Sequence, residues 1–126
     1  MHFHSITANI GVNNVNETVQ FYTEKLGFDL VMSNPESGDL IWAMVSNGHV
    51  FLMFQDNDSL KEEYPELQAS GKGCITFYVK IKDMAQLYEQ LKNDAMIVKP
   101  LAPTPYGVEE FAIRDNNGYI LTIAEA

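Results

Sequence analysis

The sequence predicts an α+β fold built from one β-α-β-β-β module used twice. Three observations carry this reading: apolar residues alternate along two segments, 5–12 and 74–79, an amphipathic helical stretch follows each, and a hairpin with an Asn-Gly turn closes each half. Each module is then a small sheet with one helix covering one face.

In "SITANIGV" (5–12), Ile6, Ala8, Ile10 and Val12 alternate with Thr7, Asn9 and Gly11, the period of a strand with two unlike faces. "NETVQFYTEKLGF" follows, with Val15, Val19, Tyr22 and Leu26 at helical spacing, Asn16 as the expected cap and Gly27 as the stop. Phe28 to Met32 reads as a short strand and "SNPESGD" as a loop. "LIWAMVSNGHVFLMF" is a hairpin in which Asn47-Gly48 suits the positive φ angles of a two-residue type I′ turn. The polar stretch "QDNDSLKEEYPELQASGKG" is expected to hold one short helix, with Ser59 and Glu62 in capping-box spacing. The order then recurs: strand "CITFYV", helix "KDMAQLYEQLKND", short strand "MIVKP" and hairpin "EEFAIRDNNGYILTIAEA".

The repeat holds residue against residue, a stronger test than element order alone. Thr7 falls on Cys74, Ile10 on Phe77 and Val12 on Val79; Val15 falls on Ile81 and Tyr22 on Tyr88. In the hairpins "WAMVSNG" falls on "FAIRDNNG", with Gly48 on Gly118 and Leu52 on Thr122. The second turn, Asn116-Asn117-Gly118, is one residue longer and suits a three-residue turn with a left-handed glycine. The chain is thus one domain of two modules, 1–55 and 73–126, joined by a connector at 56–72.

At 126 residues the chain is long enough for one buried core, and its balance of 46% hydrophobic with 20% charged residues is that of a globular protein rather than a disordered one. Seventeen acidic against eight basic residues oppose a phosphate backbone and an anionic membrane surface, so neither nucleic acid nor membrane is an expected partner. A cationic small molecule is favoured electrostatically. One cysteine forms no intrachain disulfide, "MHFHSITANI" lacks the basic end and apolar run of a signal peptide, and no run nears the roughly 18 apolar residues of a membrane span. A cytoplasmic location is expected.

"VNNVNETVQFYTEKLGF" and "YGVEEFAIRDNNGYILTI" resemble the opening strand-to-helix segment and the closing hairpin of the vicinal oxygen chelate superfamily, which includes glyoxalases, extradiol dioxygenases and bleomycin resistance proteins. The resemblance covers the whole chain. It implies an eight-stranded mixed sheet curved around a cleft, helices on the outer faces, and a homodimer. Enzymatic relatives bind a divalent metal on that floor through His, Glu or sometimes Gln, at positions that correspond here to Thr7, Leu52, Cys74 and Thr122.

That set offers one thiol, two hydroxyls and an isobutyl group, too few anionic or imidazole donors to compensate a divalent cation. The family's metal site is therefore expected to be lost, and no cofactor is expected. His2, His4 and His49 are read as solvated, because a site needs three or four converging donors. Cys74 has no histidine placed near it to lower its pKa, and Lys72 alone is a weak contributor, so a small cavity-wall residue is the expected role.

Carrying the strand alternation from those positions places Thr7, Asn9, Cys74, Thr76 and Tyr78 in the cleft, with Ile41, Ala43, Val50, Leu52, Phe54, Glu110, Ala112, Ile120 and Thr122 from the hairpins. Trp42, Met44, Phe51, Met53, Phe111 and Ile113 then fall under the helices. Asn9, Thr76, Tyr78 and Glu110 are the polar candidates for ligand contact, with Tyr106 on a proline-stiffened loop beside them. Self-satisfaction through mutual hydrogen bonds is the competing reading for the same residues. The expected function is metal-free binding of a small organic molecule, as in antibiotic or metabolite sequestration. The enzyme alternative is a glyoxalase-like lyase, isomerase or dioxygenase with a displaced metal, or a metal-free reaction with Glu110 as base.

Overall fold

A computed structural model describes residues 1–65, 75–105 and 107–126. Their contacts divide the chain into two compact units, Met1–Gly71 and Lys72–Ala126. The described residues form eight strands and three helices, arranged as two four-stranded mixed sheets.

In the first unit β1 (Asn9–Val12), β2 (Asp29–Asn34), β3 (Trp42–Asn47) and β4 (Val50–Asp56) lie in the order β1-β4-β3-β2. β1 runs parallel to β4 and the other pairs are antiparallel. The parallel pair is possible because α1 (Val15–Leu26) and the β2–β3 hairpin intervene between its strands. α1 packs on β2, β3 and β4 through Val15, Val19 and Tyr22. Tyr22 is fully buried, its ring 4.9 Å from that of Phe54 and 5.6 Å from that of Phe28.

Helix ends depart from the sequence reading in informative ways. Asn14, not Asn16, caps α1: its backbone is extended and its Oδ1 accepts from the Glu17 amide at 2.9 Å. Asn16 is already helical, and its amide instead ties down the loop, donating to the Gly38 carbonyl and accepting from the Leu40 amide. Gly27 ends the helix in the left-handed conformation, as expected. The connector helix α2 (Asn57–Glu63) is capped by Asp56, whose Oδ2 accepts from the Asp58 and Ser59 amides, so Ser59 and Glu62 form no capping box.

The first hairpin turns one residue later than expected. Asn47 pairs with Val50, leaving Gly48-His49 as the turn, and only Gly48 has positive φ (59°), the pattern of type II′ rather than I′.

The second unit repeats the plan. β5 (Thr76–Ile81), β6 (Ile97–Pro103), β7 (Glu109–Arg114) and β8 (Ile120–Glu125) lie in the order β5-β8-β7-β6, with β5 parallel to β8. α3 (Met84–Leu91) packs on β8 through Met84 and Leu91, and Tyr88 stacks on Phe111 at 5.0 Å. Its first turn is capped from a distance: the Glu125 carboxylate accepts from the Asp83 and Met84 amides. The β7–β8 turn has the expected three residues, because Asp115 N–H donates to the Tyr119 carbonyl around Asn116, Asn117 and Gly118. Asp115 is 4% exposed, and its Oδ1 accepts from the Asn117 and Tyr119 amides at 2.8 and 2.9 Å. Burial, with a smaller contribution from that carboxylate, pushes the Tyr119 phenol up.

Candidate functional site

Each sheet has one face under its helix and one turned away from it. On the second sheet the faces fall as the alternation predicts. Phe77, Val79, Phe111, Ile113, Leu121 and Ile123 share the α3 side. The other face is a grid fixed by register: Thr76, Ile120 and Arg114 in one row, Tyr78, Thr122, Ala112 and Lys99 in the next, Lys80, Ala124, Glu110 and Ala102 in the third. Tyr78, Thr76, Thr122 and Glu110 therefore stand on one face. Tyr78 Oη donates to Glu110 Oε2 at 2.6 Å.

This bond spans three strands. β5 and β7 are separated by β8, about 9.6 Å at normal strand spacing, so the phenol ring must cross β8. The residue beside its path is Ala124, fully buried despite lying on this face. A larger side chain there removes the passage. Ala124→Leu is expected to lower stability by about 1–3 kcal/mol through overpacking, read as a lower urea midpoint, and to free the Tyr78 hydroxyl. An unchanged midpoint would refute this path for the ring.

On the first sheet β1 falls as expected, with Asn9 turned away from α1, but the faces of the β3–β4 hairpin are reversed. Ile10, Ala43, Val45 and Phe54 lie against α1, and Phe54 is 0% exposed. Leu52 pairs with Val45 and shares that side, as does Val50 by alternation. Leu52 and Phe54 are thus misplaced by the sequence reading. The face turned away from α1 carries the row Asn9, Met53, Met44 and Met32, the row Gly11, Gln55, Trp42 and Asn34, and the pair Phe51 and Ser46. Trp42, Met44, Phe51 and Met53, expected under the helix, are on the opposite face and partly or fully exposed. Thr7 precedes β1, half-buried. Cys74 and Tyr106 lie outside the described residues.

The register also changes which residue corresponds to Thr122. Asn9 pairs with Met53 where its counterpart Thr76 pairs with Ile120, so Gln55, two residues on, matches Thr122 in place of Leu52. Gln55 is 9% exposed and fully engaged: Oε1 accepts from Asn9 Nδ2 at 2.8 Å, and Nε2 donates to Ser59 Oγ at 3.0 Å and Glu63 Oε1 at 3.2 Å. α2 supplies the last two partners and lies over β1 on this face. It comes so close that a Cβ on Gly11 would meet the Asn57 amide oxygen and crowd Leu60, so a larger residue there requires these side chains to shift. Nothing in the amphipathic pattern of the connector announced this contact; the signal was the glycine at an inward position of a strand.

The donor set does not fit the superfamily's metal. Thr7 and Thr122 bring neutral hydroxyls, and the Gln55 amide is committed to three side chains. Among the described residues no three His, Cys, Asp or Glu side chains come together.

Each unit is thus a βαβββ sheet with one face under its α1 or α3 helix and the other bearing aromatic and polar side chains, Trp42 and Phe51 on the first and Tyr78 and Thr122 on the second. The chain belongs to the Glyoxalase/Bleomycin resistance protein/Dioxygenase superfamily, whose family model matches residues 2–123. Among solved structures it is similar to TioX from Micromonospora sp. ML1 (21% identity, TM-score 0.80, 95% of this chain and 96% of that one). It is also similar to the bleomycin resistance determinant encoded on the transposon Tn5 (23%, 0.64, 98% of each chain). A third is the bleomycin-binding protein from bleomycin-producing Streptomyces verticillus, solved with copper(II)-bleomycin (18%, 0.65, 100% and 98%). At these identities the likeness is one of fold. No curated protein matches the sequence significantly. Among the described residues no helix is long and apolar enough to cross a membrane.

Proposed function

We propose that this protein binds a small organic molecule without a metal and without chemistry, holding it against a sheet face turned away from the α1 or α3 helix. The observation that carries this is Gln55: the side chain matching Thr122 is spent on Asn9, Ser59 and Glu63. Beside it, Met32, Met44 and Met53 stand in one row next to Trp42. Thioethers on flexible stems adapt to varied apolar shapes, which suits sequestration. The bleomycin-binding protein and the bleomycin resistance determinant among its structural neighbours support the same reading by fold. Proton transfer by Glu110 is the competing reading, but one of its oxygens is taken by the Tyr78 phenol.

Thermal unfolding with and without EDTA, against bleomycin and a panel of aromatic acids, esters and amines, tests the proposal. A ligand at 100 times its Kd should add about 2.7 kcal/mol, which for a chain of this size raises Tm by roughly 10 °C. Stabilisation that vanishes with EDTA, or a panel in which nothing stabilises, would overturn the reading.

A further inference from the structure

The helix-free face of the second sheet carries three of the chain's eight basic residues, Lys80, Lys99 and Arg114, in a protein of net charge −9. Among the described strand residues the only carboxylate on that face is Glu110. The charged side-chain groups of the three make no hydrogen bond or ion pair with a described residue. Lys99 pairs with Ala112, and Arg114 lies two residues further along β7 on the same face. Their Cβ atoms are thus diagonal neighbours, about 7 Å apart. Two unpaired like charges flanking an alanine leave a shallow floor with a positive field above it, a place an oxyanion relieves. Glu110 stands four residues from Arg114, about 13 Å along the strand, but it is the other diagonal neighbour of Lys99, so it offsets part of the field at Lys99 and leaves Arg114 the stronger anchor. Its Oε2 is in any case engaged by Tyr78.

We propose that Arg114 and Lys99 form an oxyanion subsite, taking the carboxylate or phosphate of a small aromatic ligand whose ring rests on Tyr78. The guanidinium offers a planar fork to either group and the ammonium adds a point charge. Thr122 lies between Tyr78 and Ala112 in the same row and on the same face. Because the Tyr78 hydroxyl is donated to Glu110, Tyr78 contributes its ring face, 53% of the residue being exposed. The local field selects an anion although the whole chain is acidic, so the cationic ligand favoured by net charge is replaced. This rests on the binding reading above and specifies the ligand class.

Calorimetric titration of the full chain with 2-naphthoate, 2-naphthyl phosphate, methyl 2-naphthoate and 2-naphthylmethylammonium separates the two. At least one anion should bind about tenfold or more tighter than the ester, and added salt should narrow the gap. Arg114→Gln and Lys99→Gln should each weaken that anion by roughly five- to twentyfold and leave the ester within about twofold, since a lost charge-assisted bond acts only on the charged probe. Both substitutions are at exposed positions, so the variants remain folded. Ester or ammonium binding as tightly as the anions, or glutamine variants with unchanged anion affinity, would overturn the subsite and leave the binding reading standing. If none of the four binds, the subsite fails, and the binding reading is then decided by the thermal panel.

Discussion

Phe54→Ala is expected to cost about 3–5 kcal/mol, the largest single loss in the first unit. The ring is fully buried and packs on Tyr22, itself fully buried and edge-on to Phe28 and Phe21. Truncation opens a cavity in the seam between α1 and the sheet, where backbone on both sides resists collapse. Chemical denaturation would show the midpoint falling in proportion, with Tm lower by roughly 10–20 °C. Phe54→Leu, which keeps most of the volume, should cost far less. The measurement also decides between two placements of the residue. A ligand-facing Phe54 would lose affinity on truncation and keep its stability; a small denaturation shift would therefore return it to the site.

Asp115→Ala is expected to cost about 2–4 kcal/mol, because one buried oxygen serves two backbone amides and its removal takes the carboxylate bond from both. Those amides, of Asn117 and Tyr119, hold the three-residue turn that joins β7 to β8. Hydrogen exchange at these two positions should accelerate ahead of the sheet, marking a local opening before the global one. Asp115→Asn keeps an acceptor oxygen and should lose only about 1 kcal/mol. If the alanine variant exchanges no faster at Asn117 and Tyr119, the carboxylate is not what closes the turn.

The module order, α1 with its Gly27 stop, the three-residue second turn and the faces of the second sheet were all legible in the sequence. In that second sheet Phe111 and Ile113 alternate with Glu110, Ala112 and Arg114, so hydrophobicity alone selects the buried side. The first sheet offers no such contrast. Trp42 and Met44 alternate with Ala43 and Val45, and both faces are apolar, so size suggests the wrong one. The bulk that fills the space under α1 comes from Tyr22 and Phe28, which leaves room in the sheet for alanine and valine. Aligning the two turn glycines compounded the error. The first hairpin has a longer ladder and a shorter turn than the second, so matching Gly48 to Gly118 slips the strands beyond them, and a slip of odd count exchanges the faces. The caps failed for a related reason: Asn14 and Asn16 are equally good cap residues, and only the fold shows which amide is three residues from a free donor.

The grip on Gln55 bears on how the two halves could change over generations. At Thr122 the hydroxyl makes no hydrogen bond with a described side chain, so a donor such as glutamate or histidine there displaces none, and one replacement tests the position. At Gln55 the same replacement would first have to abandon Asn9, Ser59 and Glu63, and α2 would lose two of the bonds that seat it on the sheet. The two halves are thus held differently: in the first, the connector helix fixes the side chain that matches Thr122.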